Sequence, residues 1–342
     1  MKKVTVIVPI YNVEKYLKTC FESLKKQTST DFTVLAINDG STDGCEEIIK
    51  EYVHSNPELF QGIKKDNGGY GSVLQVGIKE CKTPYFIVCD PDDSLVPEAI
   101  QTLLDLAQLS HADITIGAKT ILHEGSNTTD YDCAYNKLFA QLKVNNVYNK
   151  GTTEFNDLFF VDPSPHAKLY RKVLAENITF PEHVGYTDNL LFYMCLLEAN
   201  KVVYTDKALA NYLVNRPGNT MTDIRFKAMN GQILVFKQII NFANNMDGVP
   251  DIFYYRMFDS YKYMLYQTRR MEGGKKEHEL ILEYLETFLA KLPEHGEQIK
   301  PFYKKYSKAK ILERRRDYAL MNPKRFKATY EGVKKKMLSE IA

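Results

Sequence analysis

The sequence predicts an α/β protein with a mostly parallel sheet, helices on both faces of that sheet, and a helical C-terminal region. Apolar runs alternate with amphipathic segments of helical spacing, which is typical of parallel strands joined by helices. The first run, Val4 to Pro9, is a continuous stretch of mainly β-branched residues, as expected for a strand covered on both faces. From about residue 225 strand signals nearly vanish, and long stretches rich in Tyr, Lys and Glu predict helices.

Each element of the first region has its own signal. The strands FTVLAI, YFIVC and DITIG are short apolar runs bounded by turn-forming residues, and Pro97 marks the start of a helix. In chain order we predict strand 4–9, helix 13–24, strand 32–37, a helix through 48–53, helix 71–81, strand 85–89, helix 97–109 and strand 113–117.

The second half of the chain predicts a domain boundary. Residues 151–215 predict a short helix, an apolar-aromatic segment and a helix that begins near Asp188. The polar segment RPGNTMTD follows and separates this region from the helical one. We therefore predict domains at 1–220 and 221–342.

The composition indicates a folded cytoplasmic protein. The 342 residues are 44% hydrophobic and 26% charged, which excludes wholesale disorder. No apolar run approaches the roughly 18 residues that a membrane span needs. The six cysteines form no C-x-x-C pair, so we expect reduced core thiols, neither a disulfide framework nor a zinc site.

The positive charge is concentrated near the end of the chain. Residues 301–342 hold 13 Lys or Arg and 4 Asp or Glu, a net charge of +9, whereas the whole chain carries +2. Six apolar side chains there share one face of a predicted helix: Phe326, Tyr330, Val333, Met337, Leu338 and Ile341. A basic amphipathic helix either binds the inner face of the plasma membrane or packs on protein, including a second copy of the chain. No nucleic-acid-binding motif accompanies the charge, so we expect no nucleic-acid partner.

Acidic residues follow the strand YFIVC at the edge where open parallel sheets bind ligands. Asp90, Asp92 and Asp93 lie within four residues of one another. Their carboxylates repel one another unless a cation lies among them, and such oxygen ligands suit Mg²⁺ or Mn²⁺. An Asp-rich turn without a metal is the alternative.

Two further turns carry candidate ligand-binding groups. Asp39 ends the second strand, where its carboxylate can accept a hydrogen bond from the imide N–H of uracil or can simply belong to a strand-to-helix turn. In Asn67-Gly68-Gly69 the two glycines permit close approach of the backbone to a ligand, or only make a turn.

The motifs together resemble family 2 glycosyltransferases of the GT-A fold, of the type that makes bacterial cell-wall or capsule polysaccharides. The resemblance covers about residues 1–215 and rests on VTVIVPIYNVEKYL, NDGSTDG, NGG, DPDD and YTDN in that order. It implies a metal-dependent, inverting transfer of a hexosyl or N-acetylhexosaminyl group. The donor would be a UDP-sugar, and the acceptor a hydroxyl of a glycan, lipid-linked or wall-polymer molecule.

The resemblance also assigns roles to residues of this chain. It implies that Pro9, Tyr11 and Asp39 line the nucleotide pocket, with Asp39 on uracil. The turn 67–69 adds Asn67, Gly68 and Gly69 as candidate donor-binding residues.

The acidic motifs take the remaining roles that the resemblance implies. Asp90 and Asp92, with Asp93 beside them, match the DxD-type motif that binds ribose and a Mn²⁺ or Mg²⁺ bridging the diphosphate, and Asp92 and Asp90 are the candidate metal ligands. Asp188 matches the catalytic base. A plain helix N-cap is the alternative for Asp188, because Asp favours that position.

This chain departs from the family pattern at two places. Thr187 stands where the family usually has Glu before the base, and Leu74-Gln75 stand where it often has Arg-Asn. These departures concern the identity of the donor and leave the acidic motifs intact.

Basic residues near these motifs have weaker assignments. His166, Lys168 and Arg171 are interpreted as a solvated polar segment or as contacts to acceptor or phosphate. Arg216 is interpreted as a loop charge, with a contact to the diphosphate as the alternative.

Two other functions fit parts of the pattern. A nucleotidyltransferase that makes sugar nucleotides shares the sheet and the metal carboxylates, but needs a glycine-rich basic loop after the first strand, which Pro9-Ile10-Tyr11-Asn12 is not. An inactive GT-A-like assembly or binding subunit is the other alternative, and the retained acidic residues argue against it.

Overall fold

The computed structural model describes residues 2–137, 139–216, 225–268, 270–291 and 302, which fall into two compact units. Unit 1 comprises residues 1–136 and 140–220, and unit 2 comprises residues 137–139 and 221–342. The segment 217–224 at the sequence-derived boundary lies outside the described residues, and so does the basic amphipathic helix predicted near the C-terminus.

Unit 1 alternates strands and helices around one sheet. Its strands are β1 (Val4–Ile10), β2 (Phe32–Asp39), β3 (Phe60–Lys65), β4 (Tyr85–Val88), β5 (Ser94–Leu95), β6 (Ile114–His123), β7 (Thr129–Asp132), β8 (Val147–Asn149), β9 (Lys168–Arg171) and β10 (Lys201–Val214). Its α-helices are α1 (Glu14–Lys25), α2 (Cys45–Ser55), α3 (Tyr70–Glu80), α4 (Ala99–Ser110) and α5 (Thr187–Glu198). Short 3₁₀ helices span Glu154–Phe160 and Lys172–Leu174.

The strands follow the order β3-β2-β1-β4-β9-β6-β10-β5, with β7 beside β6 and β8 beside β10. The strands β3, β2, β1 and β4 are parallel neighbours, and β6 is parallel to β10. Antiparallel β9 lies between β4 and β6. The predicted α/β fold with a mostly parallel central sheet is confirmed, with antiparallel strands added beyond β4.

The core of unit 1 explains why its first elements are visible in the sequence. All seven residues of β1 are buried, which accounts for its continuous apolar run. Leu17, Cys20, Phe21 and Leu24 form the buried stripe of α1. Burial of each large apolar side chain of this kind stabilises the fold by about 1.5–3 kcal/mol. All six cysteines are buried free thiols, as the sequence predicts.

Unit 2 contains the predicted C-terminal helical region. Its helices are α6 (Phe226–Asn244), α7 (Asp251–Thr268) and α8 (Lys275–Leu289). They pack on one another, and the ring of Tyr261 on α7 stacks on Phe288 on α8 with centroids 6.0 Å apart. Within the described residues no helix is both long enough and apolar enough to cross a bilayer.

Candidate active site

The parallel strands bring the predicted donor-binding residues to one edge of the sheet. Ile10 of β1 is in register with Asn38 of β2, and Ile7 is in register with Val88 of β4. The residues that follow these strands therefore reach the same edge. Pro9 is buried in β1, whereas the side chain of Tyr11 is 50% exposed.

Asp39 anchors the glycine turn that precedes α3. Its Oδ1 accepts hydrogen bonds from Gly68 N at 2.9 Å and Lys65 Nζ at 2.5 Å, and its Oδ2 accepts one from Gly69 N at 2.8 Å. Asn67 Nδ2 donates to the Asp39 carbonyl at 3.0 Å and lies 3.3 Å from Oδ2. The carboxylate is nearly fully buried and has four protein donors around it. The structure thus brings Asp39 and residues 67–69 together, and the contact of Asp39 with uracil stays a prediction.

The glycine turn also contacts the segment that leads to the predicted base. Gly68 O accepts a hydrogen bond from His183 N at 2.6 Å. Gly69 has φ +81°, and a Cβ atom there would lie 3.1 Å from the His183 backbone. A Cβ on Gly71 would lie 2.8 Å from Pro181 O. Gly69 therefore requires glycine for both its positive φ and its close approach, and Gly71 requires it for the close approach alone.

The three carboxylates of the DPDD turn have three different partners. Asp90 Oδ1 accepts a hydrogen bond from Tyr70 Oη at 2.7 Å. Asp93 is buried, with Oδ1 bonded to Leu213 N at 2.8 Å and Oδ2 2.7 Å from His166 Nε2. Asp92 forms an ion pair with the Arg216 guanidinium.

Burial and mutual repulsion make this turn an electrostatically costly place for negative charge. Burial, followed by the charges of Asp93 and Asp92, raises the pKa of Asp90 well above its usual value. Burial and then the charge of Asp92 raise the pKa of Asp93. A divalent cation would relieve this repulsion, and carboxylate oxygens are the ligands that Mg²⁺ and Mn²⁺ prefer. The residues therefore fit a metal.

The geometry that fits a metal includes two residues beyond the predicted pair and only one member of that pair. Ligand atoms of Asp90, Asp93 and His166 all lie within 4.8 Å of one another. Burial lowers the pKa of His166 to about 3, so its ring is neutral. Asp92, a predicted ligand, is outside this group.

Asp188 is the second residue of α5 and is partly buried. Burial raises the pKa of its carboxyl to about 6. Its Oδ1 accepts a hydrogen bond from Asn189 Nδ2 at 3.2 Å. The Asp188 charge contributes to the raised pKa values of Asp90 and Tyr70, so the structure brings it within electrostatic reach of the DPDD turn.

The two departures from the family pattern have structural explanations. Thr187 is fully buried, and a Cβ on Gly71 would lie 3.0 Å from its Cγ2. A glutamate at this buried position would need a partner for its charge. Gln75 Oε1 accepts a hydrogen bond from Phe180 N at 3.1 Å and so fixes the segment before α5.

Several basic residues differ from their interpretation as solvated groups. Lys168 is fully buried, donates to Ser164 O at 2.6 Å, and burial lowers its pKa to about 7. His166 is buried against Asp93, and only Arg171, paired with Asp113 at 3.3 Å, is substantially exposed. The solvated interpretation is therefore wrong for His166 and Lys168, because both side chains are buried.

Arg216 is also more than a loop charge. Besides pairing with Asp92, its guanidinium lies 5.5 Å from the ring centroid of Tyr16. Tyr16 Oη donates to Glu124 Oε1 at 2.9 Å, and Lys15 pairs with the same glutamate. Three residues reach the site from outside the DPDD turn. Tyr70 has no signal in the sequence motifs, whereas His166 and Arg216 are candidates whose partners, Asp93 and Asp92, the motifs do not indicate.

Comparisons with known proteins agree with this architecture. The model of the family "Glycosyl transferase family 2" matches residues 5–179. Glycosyltransferase GlyA of Streptococcus pneumoniae is 27% identical over 302 residues, which cover 80% of this chain and 43% of GlyA. The poly(ribitol-phosphate) β-N-acetylglucosaminyltransferase TarS of Staphylococcus aureus is 29% identical over 228 residues, which cover 65% of this chain and 37% of TarS. The matched regions thus span less than half of either relative.

Solved structures show the fold. The crystal structure of S. aureus TarS 1-349 in complex with UDP-GlcNAc has a TM-score of 0.74 at 20% identity and covers 99% of this chain and 92% of that one. A mannosyltransferase from Pyrobaculum calidifontis, in complex with GDP-Man and Mn²⁺, has a TM-score of 0.54 at 14% identity and covers 99% and 88%. The GT-A fold is confirmed by these likenesses, and the family model covers more than half of the sequence. The chain belongs to glycosyl transferase family 2.

Proposed function

We propose that this chain transfers a sugar from a UDP-sugar to a hydroxyl group of a cell-wall polymer, with inversion at the anomeric carbon and Asp188 as the base. The observation that carries this proposal is Asp188 itself, a partly buried carboxylate with a raised pKa near the acidic DPDD turn. A general base works best when its pKa lies near the operating pH. An acidic turn that can hold a cation suits a departing nucleoside diphosphate.

The donor pocket is proposed to lie between Tyr11 and Asp39. The half-exposed ring of Tyr11 is available to a nucleobase, and Asp39 is its hydrogen-bond partner. Of the donors around Asp39, the Asn67 amide at 3.3 Å from Oδ2 is the longest, so it is the one that the uracil imide N–H would replace. The complex of TarS with UDP-GlcNAc supports this choice of donor, since the two chains share a fold.

The DPDD turn is proposed to hold Mn²⁺ or Mg²⁺ through Asp92 and Asp90. When bound, the cation stabilises the negative charge on the departing diphosphate. Asp93 is assigned a structural role in the turn, because Leu213 N and His166 occupy its two oxygens. Arg216 pairs with Asp92, and in this proposal its guanidinium also contacts the diphosphate. The complex of the P. calidifontis enzyme with Mn²⁺ supports the metal.

Asp188 is proposed to take the proton of the acceptor hydroxyl. The acceptor oxygen then bonds to the anomeric carbon while the bond from that carbon to the diphosphate oxygen breaks. This single displacement converts an α-linked donor into a β-linked product. The β-transferase activity in the name of TarS supports this outcome.

The acceptor is proposed to be a polyol-phosphate wall polymer, because TarS acts on poly(ribitol phosphate). We assign donor binding and catalysis to a domain of residues 1–220. Residues 221–342 form a separate helical domain in this proposal, which contacts the membrane surface or a second copy.

The test is metal-dependent turnover by the full-length chain. UDP release from UDP-GlcNAc is measured with and without Mn²⁺, and with and without poly(ribitol phosphate) as acceptor. We expect Mn²⁺-dependent release that the polymer accelerates. D188N should lose turnover and keep UDP binding, because the amide preserves the shape but cannot take a proton. D105N, in an exposed aspartate of α4 that is bonded to Gln101, is the matched control and should keep full activity. Near-normal turnover in D188N would remove Asp188 from the mechanism.

A further inference from the structure

The hydroxyl group of Tyr70 holds one oxygen of Asp90. Tyr70 is the first residue of α3, and its Oη donates to Asp90 Oδ1 at 2.7 Å. The two residues come from different loops, because Tyr70 follows the glycine turn and Asp90 follows β4. Within the part of the chain that the structure describes, Tyr70 is the side chain that donates to this carboxylate.

The position of Tyr70 is fixed because the backbone on both sides of it is anchored. Gly69 N donates to Asp39 Oδ2 at 2.8 Å on one side. On the other side Gly71 packs so closely that a Cβ atom would lie 2.8 Å from Pro181 O. The aromatic ring itself has only two rotatable bonds, so its hydroxyl is a rigid point beside Asp90.

Asp90 needs a rigid donor because its other charged neighbours repel it. The charges of Asp93, Asp92 and Asp188 all act against its ionised form. The hydrogen bond from Tyr70 holds one oxygen of the Asp90 carboxylate in place against this repulsion. Tyr70 binds Oδ1 alone, and this leaves Oδ2 for a ligand.

We propose that Tyr70 is a positioning residue of the metal site, which holds Asp90 so that Oδ2 faces the divalent cation as a single-oxygen ligand. This inference rests on the proposed metal-binding role of the DPDD turn. Mn²⁺ and Mg²⁺ bind best to ligands at fixed directions, and a ligand that is oriented beforehand loses less entropy on binding. The first turn of α3, whose sequence gives no metal-binding signal, thereby contributes to metal affinity.

The test is Y70F, which removes only the hydroxyl. Mn²⁺ is titrated into the full-length protein in the presence of UDP, and free Mn²⁺ is measured by electron paramagnetic resonance. We expect the Kd for Mn²⁺ to rise about tenfold, since a hydrogen bond to a charged acceptor is lost. Y52F is the matched control, because Tyr52 Oη also donates to a carboxylate, that of Glu22, at 2.7 Å. Glu22 lies on α1 and Tyr52 on α2, so this hydrogen bond does not involve the DPDD turn. Y52F should lower the melting temperature and leave the Kd unchanged.

A second comparison shows whether Tyr70 acts through Asp90. In a D90N background the oriented carboxylate is absent, so Y70F should raise the Kd much less than it does in the natural chain. Equal Mn²⁺ affinity in Y70F and Y52F, or the full tenfold effect of Y70F in D90N, would overturn the positioning role. If the unsubstituted chain binds no Mn²⁺ in the presence of UDP, the proposed metal site itself is wrong. This outcome is distinguished from a failure of the Tyr70 role because it is seen without any variant.

Discussion

Replacing Asp188 by Asn should stabilise the fold while it abolishes transfer. Burial raises the pKa of this carboxyl from 3.8 to about 6, so the folded chain holds the proton more tightly than the unfolded chain. Ionisation of Asp188 therefore lowers the free energy of unfolding as the pH rises from about 4 to about 6. Above that range the loss is complete. A difference of about 2 pH units corresponds to at most about 3 kcal/mol at pH 7, and roughly half of that at pH 5. Asparagine keeps the shape without the charge and avoids this cost.

The assay is urea unfolding of both proteins at pH 7 and pH 5 in the presence of a chelator, followed by far-UV circular dichroism. The chelator removes bound cations, which would otherwise add their own stabilisation. We expect D188N to have the larger free energy of unfolding at pH 7, with a difference that shrinks at pH 5. A D188N protein that is no more stable at pH 7, or a difference independent of pH, would refute the assignment of a buried charge to Asp188.

D43N provides a control of opposite sign. Although burial opposes ionisation of Asp43, hydrogen bonds from Cys45 and from the Glu14 backbone outweigh it and lower the pKa. The folded state therefore favours the Asp43 carboxylate, and its stabilisation is present above the unfolded pKa and lost as the pH falls. D43N should be less stable than the natural chain at pH 7.

Three further predictions concern activity and donor binding. Because Asp188 must be ionised to act as a base, kcat should fall about tenfold per pH unit below about pH 6, and a flat profile between pH 7 and pH 5 would exclude this role. G71A should lower kcat about tenfold or more at unchanged UDP affinity, since its Cβ would push the segment before Asp188. G77A is the control, because its Cβ would meet a core side chain at 2.6 Å. G77A should reduce the melting temperature without a selective loss of kcat. D39N should raise the Kd for UDP about tenfold in calorimetry, because the uracil imide N–H would lose its carboxylate acceptor. Unchanged affinity would place the nucleobase elsewhere.

The sequence predicts the first half of the sheet because that half is built from local signals. Strands β1, β2 and β4 are continuous buried runs, and the helices between them have apolar stripes. The order of strand ends then places Asp39 and Asp90 at one edge without any three-dimensional information. The acidic motifs are visible for the same reason, since each lies in one short turn.

Strands β3 and β10 cannot be predicted from local sequence signals. In β3 only Phe60 is buried, so Phe60–Lys65 reads as a polar loop and owes its extended form to pairing with β2. Strand β10 contains the polar sequence Thr-Asp-Lys, and its register with β6 shifts across that sequence and again between Ala208 and Ala210. Sheet pairing with distant strands overrides the local pattern at both places.

The contacts of three site residues could not be predicted for the same reason. Tyr70 reaches Asp90 across 20 positions, and His166 reaches Asp93 across 73. Arg216 reaches Asp92 across 124. No spacing rule connects such pairs, because the fold alone decides which side chains meet.

Gly68 has a consequence for engineering of this enzyme. Its N–H bonds Asp39 in the predicted nucleotide pocket, and its carbonyl accepts from His183 in the segment before α5. In the proposed function the donor-binding turn and the segment before the proposed base therefore share one residue. A chimera that takes its glycine turn from one relative and residues 180–187 from another would break this match. Donor preference and acceptor preference should transfer between family members only when both segments are exchanged together.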